Sequence, residues 1–348
     1  MVTIKDVARE AKVSVATVSR VLNGSGPVSE QTRRLIREVA GRMRYFPHNG
    51  ARSLITSKTQ TLGVLLPDLY GEFFSEVIRG MDDTAQRHGF HLLISRSYAD
   101  KHGIETAMRA MRGRVDGVVV MSPDLDAESL LNLPSTIPVV LLCSVSRGNE
   151  IDSLTIHNCR GAREMVTHLT SLGHRRIAII KGSPRNYDAA ERLRGYRIAL
   201  REAGISPDAS LELVGNFTEA GGYTATMKLL AMSVRPTAIF AANDSMAIGA
   251  LSALRESGVE VPEEMAVAGF DDIPLARFMD PQLSSVHVPI CALGARAVEL
   301  LLEGVAHKNG HARRRERVST ELVIRRSTGS QPAERPPPKT LNREMASV

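Results

Sequence analysis

Apolar positions in the first forty-five residues recur at helical spacing in three short bursts. In TIKDVAREA, Val7, Ala8 and Ala11 share a face, and Thr3 with Asp6 three residues later makes a capping-box pattern. Lys12 and Val13 form a brief break before Ser14, a strong N-cap for a second helix. In that helix Val18, Val21 and Leu22 fall on one side, with Val15, Ala16, Ser19, Arg20 and Asn23 towards the other. The segment VSVATVSRVLNG is rich in β-branched residues and weakly helical alone, so packing of its valine face must hold it. After the turn GSGPV, Ser29 caps a third helix with the core face Leu35, Ile36, Val39, Ala40 and Met43, closed by Pro47. Three short helices, the first two joined by a tight break, predict a helix-turn-helix unit, an all-α headpiece. The plainer alternative is an ordinary three-helix subdomain.

From Thr61 the pattern changes. TLGVLLPD, FHLLISRS, GVVVMSP and PVVLLCS, then RRIAIIKG, SLELVGNF, TAIFAAND and MAVAGFDD, alternate with amphipathic stretches such as FFSEVIRGMDDTAQRHG and RLRGYRIALREAG. Repeated β-then-α units predict parallel sheets covered by helices. Their number and the similar rhythm of the two halves predict an α/β core of two doubly wound parallel-sheet lobes facing a cleft. Ligand is then expected at the carboxyl ends of the strands. The expected organisation is a headpiece over 1–47, a linker over 48–60, a two-lobed core over 61–327, and a proline-rich tail over 328–348 without apolar periodicity, expected to be disordered.

Charge sharpens this division. Residues 1–60 carry eleven Lys and Arg against four acids, a net +7, whereas the remaining residues hold 33 bases and 34 acids. All of the net positive charge thus resides in the headpiece segment, which points to a polyanion partner there. No apolar run reaches the ~18 to 20 residues of a membrane span, and the N-terminus carries acids where a signal peptide has an apolar core. A cytoplasmic, nucleoid-associated protein is expected. Three cysteines, Cys143, Cys159 and Cys291, form no CxxC pair and are expected as free, mostly buried thiols.

The polar face of the second helix has the chemistry to read DNA. Arg20 can donate two hydrogen bonds to a guanine, and Val15 or Ala16 can meet a thymine methyl. Ser14, Thr17 and Asn23 suit phosphates.

These residues carry a resemblance. TIKDVAREAKVSVATVSRVLNG, continued by VSEQTRRLIREVAGRMRYFPHNGARSL, resembles the headpiece of the LacI (lactose repressor) family of bacterial transcription regulators. PDLYGEFFSEVIRGM, GHRRIAIIKG, ERLRGYRIALREAGI, PTAIFAANDSMAIGAL and VAGFDDIPLARFMDPQLSSVHVP resemble the same family's core, which is similar to periplasmic sugar-binding proteins. The resemblance spans about residues 3 to 327. It implies DNA contacts from Thr3, Ser14, Val15, Ala16, Thr17, Ser19, Arg20 and Asn23. It also implies a hinge helix that forms on DNA, pairs with its copy in a dimer, and presses Leu54 into the minor groove with Ala51 one turn earlier. An apolar wedge of this kind unstacks a base step and kinks the duplex. Residue-by-residue transfer puts Phe73, Arg192, Phe217, Asn243 and Asp271 at the effector cleft. Asn243 and Asp271 could instead cap helices, Phe73 and Phe217 could be packing, and Arg192 could be a solvated helix residue.

The chain also departs from the family. Gly50 lies inside the hinge and His48 stands where asparagine is usual. Cys143-Ser144 follows the VVLL strand where many members carry an acid, and His157 replaces an aspartate. A missing carboxylate weakens the case for a neutral polyol, so no particular sugar is named.

No GxGxxG, GxxxxGK[ST] or GxSxG motif occurs, and His157, Cys159 and His168 suit no common zinc spacing, so no catalytic residue, metal or cofactor is expected. The resulting expectation is a ligand-responsive transcriptional regulator, a repressor rather than an enzyme. It would bind a pseudo-palindromic double-stranded operator as a homodimer, with a sugar or related metabolite as effector and no membrane partner. The competing class is a small-molecule binding protein with an incidental N-terminal extension.

Overall fold

The computed structural model describes residues 2–24, 26–45, 58–96, 101–122, 137–144, 151–306 and 313–329. The chain falls into two compact units, one built on the N-terminal sixty residues and one on the rest. The short stretch Gly113–Asp116 groups with the first. There Asp116 accepts from the backbone N–H groups of Thr59 (2.7 Å) and Gln60 (2.9 Å).

The first unit contains α1 (Ile4–Glu10), α2 (Val15–Leu22) and α3 (Glu30–Arg42). Each starts where the side chains supply acceptors for orphan amides. The Thr3 N–H donates to Asp6 Oδ2 at 2.9 Å, Ser14 Oγ accepts from Thr17 N at 3.1 Å, and Ser29 Oγ accepts from Thr32 N at 3.3 Å. Hydrogen bonds from Thr3 hold the Asp6 carboxyl below its ordinary value. Between α1 and α2, Lys12 takes a left-handed φ of 51°, which lets two helices meet after so short a break. Val7, Ala8, Ala11, Val18, Val21, Ile36, Val39 and Ala40 form one buried cluster, with Leu22 and Met43 against its edge. Leu35 does not join it. It is 44% exposed, because α3 presents a narrower apolar stripe than its spacing suggested. The helix also stops before Pro47: Met43 caps it and Arg44 turns the chain at φ 50°. Pro47, and with it His48, Gly50, Ala51 and Leu54, lies outside the described residues.

The second unit holds two six-stranded sheets. The first has the order β11-β5-β4-β3-β1-β2, with β1 (Thr61–Leu66), β2 (His91–Arg96), β3 (Gly117–Met121), β4 (Val139–Leu142), β5 (Asp152–Ile156) and β11 (Arg315–Val318) all parallel. The second has the order β12-β10-β9-β8-β6-β7. Its strands are β6 (Ile177–Lys181), β7 (Glu212–Val214), β8 (Ala238–Ala241), β9 (Ala266–Asp271), β10 (Ser284–His287) and β12 (Glu321–Val323). Only the edge pair β10–β12 is antiparallel, a departure from a purely parallel lobe. SLELVGNF gives just the three residues of β7, since Ala209–Leu211 wind into a 3-10 turn first. The inner strands are buried along nearly their whole length, as expected of parallel strands covered on both faces.

Helices α4 (Glu72–Arg87), α5 (Lys101–Met111) and α10 (Ile290–Ala306) belong to the first lobe. Helices α6 (Asn158–Ser171), α7 (Tyr187–Glu202), α8 (Glu219–Leu230) and α9 (Asp244–Glu256) belong to the second. At the α4–α10 crossing a Cβ on Gly80 would sit 1.9 Å from the Cys291 carbonyl oxygen, so only glycine allows that approach. The chain passes between lobes three times, from β5 to α6, from β10 to α10, and from β11 to β12. The expected tail starts inside ordered structure: Thr328 is buried, and Ser327 Oγ donates to Val267 O at 2.6 Å while accepting from Ser284 N at 2.8 Å. Residues 330–348 lie outside the described ones.

Candidate functional site

In the headpiece the interior of α2 is spent on packing, and what remains outside is small and polar. Val15, Ala16 and Arg20 are exposed, with Ser14 and Thr3, while Thr17, Ser19 and Asn23 are partly buried. The partly buried side chains are already ordered by one another: Ser14 Oγ lies 2.8 Å from Thr17 Oγ1, and Asn23 Nδ2 donates to Ser19 Oγ at 3.2 Å. Ser14 is therefore both a cap and a candidate phosphate group. Arg33, partly buried, and Arg34, exposed, stand near Glu30 at 3.7 and 3.6 Å, loose pairs that constrain them little.

The two sheets share the strand pattern 2-1-3-4-5, in which the crevice opens between the first and third strands of each set. Phe73 lies on α4, just after β1, with its ring edge-to-face on Phe74 at 5.6 Å. Asn243 follows β8 and does serve as the N-cap of α9, its Oδ1 accepting from Met246 N at 3.0 Å. The same amide donates from Nδ2 to Phe217 O at 3.2 Å, so the cap also fixes Phe217. Phe217 has a left-handed φ of 61°, and its ring lies so close over Gly182 that a Cβ there would approach it to 2.2 Å. Phe73 and Phe217 are both partly buried and border the main core, so wall and packing roles coincide in them.

Arg192 is in the second turn of α7 rather than at its start, and it is buried rather than solvated. Its Nε donates to Asn158 Oδ1 at 2.8 Å, one terminal nitrogen donates to Ala242 O, and the other pairs with Asp271 Oδ1 at 3.1 Å. Its guanidinium lies 3.8 Å from the Phe270 ring centroid and 6.0 Å from that of Phe217. Asp271 ends β9 with φ 106° and caps no helix. Burial pushes its carboxyl up to about 7; Arg192 pulls it down and the Asp188 charge adds to the rise. The structure thus brings Arg192, Asp271, Phe217 and Asn243 together at the strand ends of the second lobe. Phe73 comes from the first lobe, on the helix whose Glu72 accepts from Leu275 N of the second at 2.9 Å.

Three side chains of this cluster escape a reading by sequence. Asp188, one turn before Arg192, accepts from Asn158 Nδ2 at 2.6 Å, and burial lifts its carboxyl to about 6. Asn158, at the start of α6 just past the first crossover, links the two. Asp244 lies behind them, accepting from Ser285 Oγ at 2.6 Å and Ile273 N at 2.8 Å, with its carboxyl raised well above normal by burial. The i, i+4 spacing of Asp188 and Arg192 is the one sequence signal that could have exposed the first of these. Asp272, next to Asp271, pairs with Arg325 at 2.7 Å and His287 at 3.0 Å, thereby tying together residues that flank two crossovers. A separate cavity of about 430 Å³, lined by Glu76, Arg277, His287, Cys291 and Arg325, borders this cluster at Asp272 and Ile273. It contains none of the strand-end ligand candidates. No helix among the described residues is long and apolar enough to cross a membrane, and none of their His, Cys, Asp and Glu side chains group as a metal site.

Comparison with known proteins bears on both units. Residues 3–48 match the family of bacterial regulatory proteins described as lacI, and residues 166–328 match a periplasmic binding protein-like domain. The HTH-type transcriptional regulator GalS of Salmonella typhimurium (strain LT2) is 39% identical over 311 residues, covering 88% of this chain and 91% of that protein. The catabolite control protein A of Priestia megaterium is 38% identical over 305 residues, covering 86% and 91%. Among solved structures, the lac repressor dimer bound to operator and the anti-inducer ONPF superposes with a TM-score of 0.84 at 28% identity, covering 94% of this chain and 99% of that one.

Proposed function

Because the chain belongs to the LacI family of bacterial regulatory proteins, we propose that it works as a dimeric repressor whose α2 reads operator bases. It is a ligand-responsive, DNA-binding transcriptional regulator, and the partners follow from that: double-stranded operator DNA, a second copy of the chain, and a small-molecule effector. The observation that carries the reading is the exposed face of α2, where Arg20 stands beside Val15 and Ala16 on a helix capped by Ser14 and clamped from behind by Val18 and Val21. A pure small-molecule binding protein has no use for such a face or for the basic charge around it. Arg20 reads a guanine, and Val15 and Ala16 meet thymine methyls. Thr3, Ser14, Thr17, Ser19 and Asn23 position the helix on phosphates and neighbouring base edges. Ala51 and Leu54, outside the described residues, are assigned to the minor groove by family resemblance. Effector binds at Phe73, Arg192, Phe217, Asn243 and Asp271 and acts by its differential affinity for two arrangements of the lobes. The chain performs no catalytic step, and its place of action is the bacterial cytoplasm, on the chromosome.

Selection of operators from random duplexes by the full-length protein tests this directly. Arg20→Ala should lose ~1 to 3 kcal/mol of specific affinity and relax preference at one symmetric pair of positions. Arg33→Ala or Arg34→Ala, as phosphate-neutralising residues, should weaken all sequences alike and lower the salt slope by ~1. An unchanged sequence preference in Arg20→Ala would remove it as a base reader.

A further inference from the structure

Because the strands of the first sheet are all parallel, their amino ends form one rim. The register runs along it from Leu62 opposite Gly117, through Val118 opposite Val139 and Val140 opposite Asp152, to Ser153 opposite Arg315. The chain comes to this rim directly from the linker, since Thr61 opens β1. Asp116, just before β3, holds the last linker residues there. Its carboxylate accepts from Thr59 N at 2.7 Å, Thr59 Oγ1 at 3.0 Å and Gln60 N at 2.9 Å. The segment that joins the DNA-reading helices to the core therefore ends on this rim.

Arginine is concentrated at the same place. Arg112 and Arg114 stand in the turn between α5 and β3, and Arg313, Arg314 and Arg315 lead into β11; each is exposed. The side chains of Arg112 and Arg114 have no acceptor among the described residues. The acids alongside are already engaged. Asp116 serves the linker amides, and Asp152 accepts from Arg313 at 3.2 Å and from Arg314 N at 2.8 Å. Glu303, in the last turn of α10, is shared by Arg296 at 3.2 Å and Arg314 at 3.0 Å. That turn reaches the rim as well, for a Cβ on Gly304 would sit 3.2 Å from Pro138, which precedes β4.

The fold alone does not call for so many cations here. Arg112 closes α5, where the helix dipole favours a positive charge, but Arg114 and Arg313 to Arg315 are on no helix. Asp152 needs one ionic partner, and Arg313 is enough. Beyond residue 60 the chain holds 33 bases against 34 acids, so a basic rim is a local excess and not a share of a general one.

We infer that this rim is a second DNA surface, which takes phosphates of the duplex flanking the bases read by α2. This rests on the reading of α2 as the operator reader. From β3 to β11 is three strand spacings, roughly 14 Å, near the ~12 Å width of a B-DNA major groove. Two arginine clusters so spaced can meet the phosphate ridges on either side of one groove, a pairing that a single strand does not offer. Such contacts add affinity and salt dependence without reading sequence.

The test uses the full-length protein and the operator recovered by selection. That operator is presented as a duplex ending at the site and as one extended by a helical turn, ~10 base pairs, on each side. The flanks should tighten wild-type binding. Raising salt from about 50 to about 200 mM should cut that gain about tenfold for every two phosphates neutralised. Arg112→Gln with Arg114→Gln should remove much of the gain and its salt dependence, with affinity for the short duplex held within about twofold. Base preference should not change. Arg313→Gln with Arg315→Gln should act alike, and melting of each variant without DNA shows whether the fold is kept. The first pair breaks no described side-chain contact, so it decides the matter should the second pair unfold. Arg201→Gln with Arg255→Gln removes the same charge from exposed positions of the second lobe and should leave the gain whole.

Equal wild-type binding to both duplexes, or a gain that survives both rim pairs, overturns this inference and leaves the α2 reading intact. A loss as large in the second-lobe pair overturns it too, since net charge and not contact would then be at work. Loss on both duplexes alike overturns the flanking placement. Tighter capture of a single-stranded RNA of the same length overturns duplex DNA as the partner. Failure to recover any operator overturns the α2 reading and this inference with it.

Discussion

The two lobes of the core are the same fold used for different chemistry. Both sheets run 2-1-3-4-5 from their first strand, and both are crossed by helices that approach closely at glycine. Their carboxyl strand ends differ. In the second lobe these ends gather Asp188, Arg192, Asp244 and Asp271, all buried, with left-handed backbone at Asn216, Phe217, Asp271 and Asp272. In the first lobe the buried residues at the described strand ends, Ser122, Cys143 and Ser144, are neutral, and the charged pair there, Arg96 with Asp68 at 3.8 Å, is exposed. The first lobe buries an acid too, Asp152, but at the start of β5, where Arg313 at 3.2 Å and the Arg314 N–H at 2.8 Å answer it. One lobe thus places its desolvated charge where a ligand enters, and the other keeps it for structure. Topology fixes where a crevice forms; the side chains decide which lobe binds and which covers.

The strongest way to break this contrast is to remove one cation from each lobe. Arg192→Met strands Asp271 in a dry site and strips Asn158 Oδ1 and Ala242 O of their donor. Breaking a buried pair from one side typically costs ~3 to 5 kcal/mol. Arg313→Met should cost no more than ~1 kcal/mol, because that arginine is partly exposed and Asp152 keeps the Arg314 amide. Urea denaturation of both variants checks this, and losses of equal size would mean that burial of charge does not distinguish the lobes.

Much of this arrangement was legible in the sequence, and what was not has physical causes. Caps at Thr3, Ser14 and Ser29 and the α2 face follow from local rules that need no partner. Strand-end placement of Phe73, Asn243 and Asp271 follows from β–α alternation. Leu35 was misplaced because a spacing rule cannot see how narrow the contact with α1 and α2 is. Asp188 looks, in sequence, like an acid favoured at a helix N-terminus. Its burial against Asn158, which arrives from another helix, appears only in the fold. The three crossovers were hidden for the same reason, since alternation says nothing of which sheet a strand joins.

The acidity of the second-lobe cluster gives a smaller effect with a definite sign. The Asp271 carboxyl is raised to about 7 in the folded protein against ~4 when unfolded. Between those values the folded state holds more protons, so stability falls as pH rises, by at most ~1.4 kcal/mol per unit for one group, and levels off above ~7. Asp188, raised to about 6, adds to the lower part of that fall. His168 and His174, lowered by burial, act oppositely below their ordinary value of 6.5. The lowered carboxyls of Glu212, Asp208 and Glu316 lose stability only as pH drops through the low carboxylate range. In the first lobe, burial pushes the Cys143 thiol well up, which keeps it neutral throughout. Denaturation at pH 5, 6.5 and 7.5 should therefore show a decline between the last two that Asp271→Asn reduces, the buried Asp244 carboxyl, also raised, accounting for what remains. A decline of unchanged size in that variant would place the titrating group elsewhere.

The smallest effect should come from the first lobe's strand end and carry the opposite sign. Ser144 is 3% exposed, and its hydroxyl has no hydrogen-bond partner among the described residues. Two buried serines of the second lobe, at the start of β10, are satisfied, Ser285 Oγ by Asp244 at 2.6 Å and Ser284 Oγ by Arg325 O at 2.9 Å. A buried hydroxyl left without a partner costs ~1 kcal/mol or more, so Ser144→Ala should stabilise the protein by about that amount while Ser285→Ala destabilises it. A polar group kept at such a place despite its cost suits a partner that comes and goes. Ser144→Ala should accordingly raise the urea midpoint and weaken effector binding by no more than about a few fold. A lower midpoint would show that the hydroxyl is bonded in the folded protein and belongs to the structure of the first lobe rather than to its ligand.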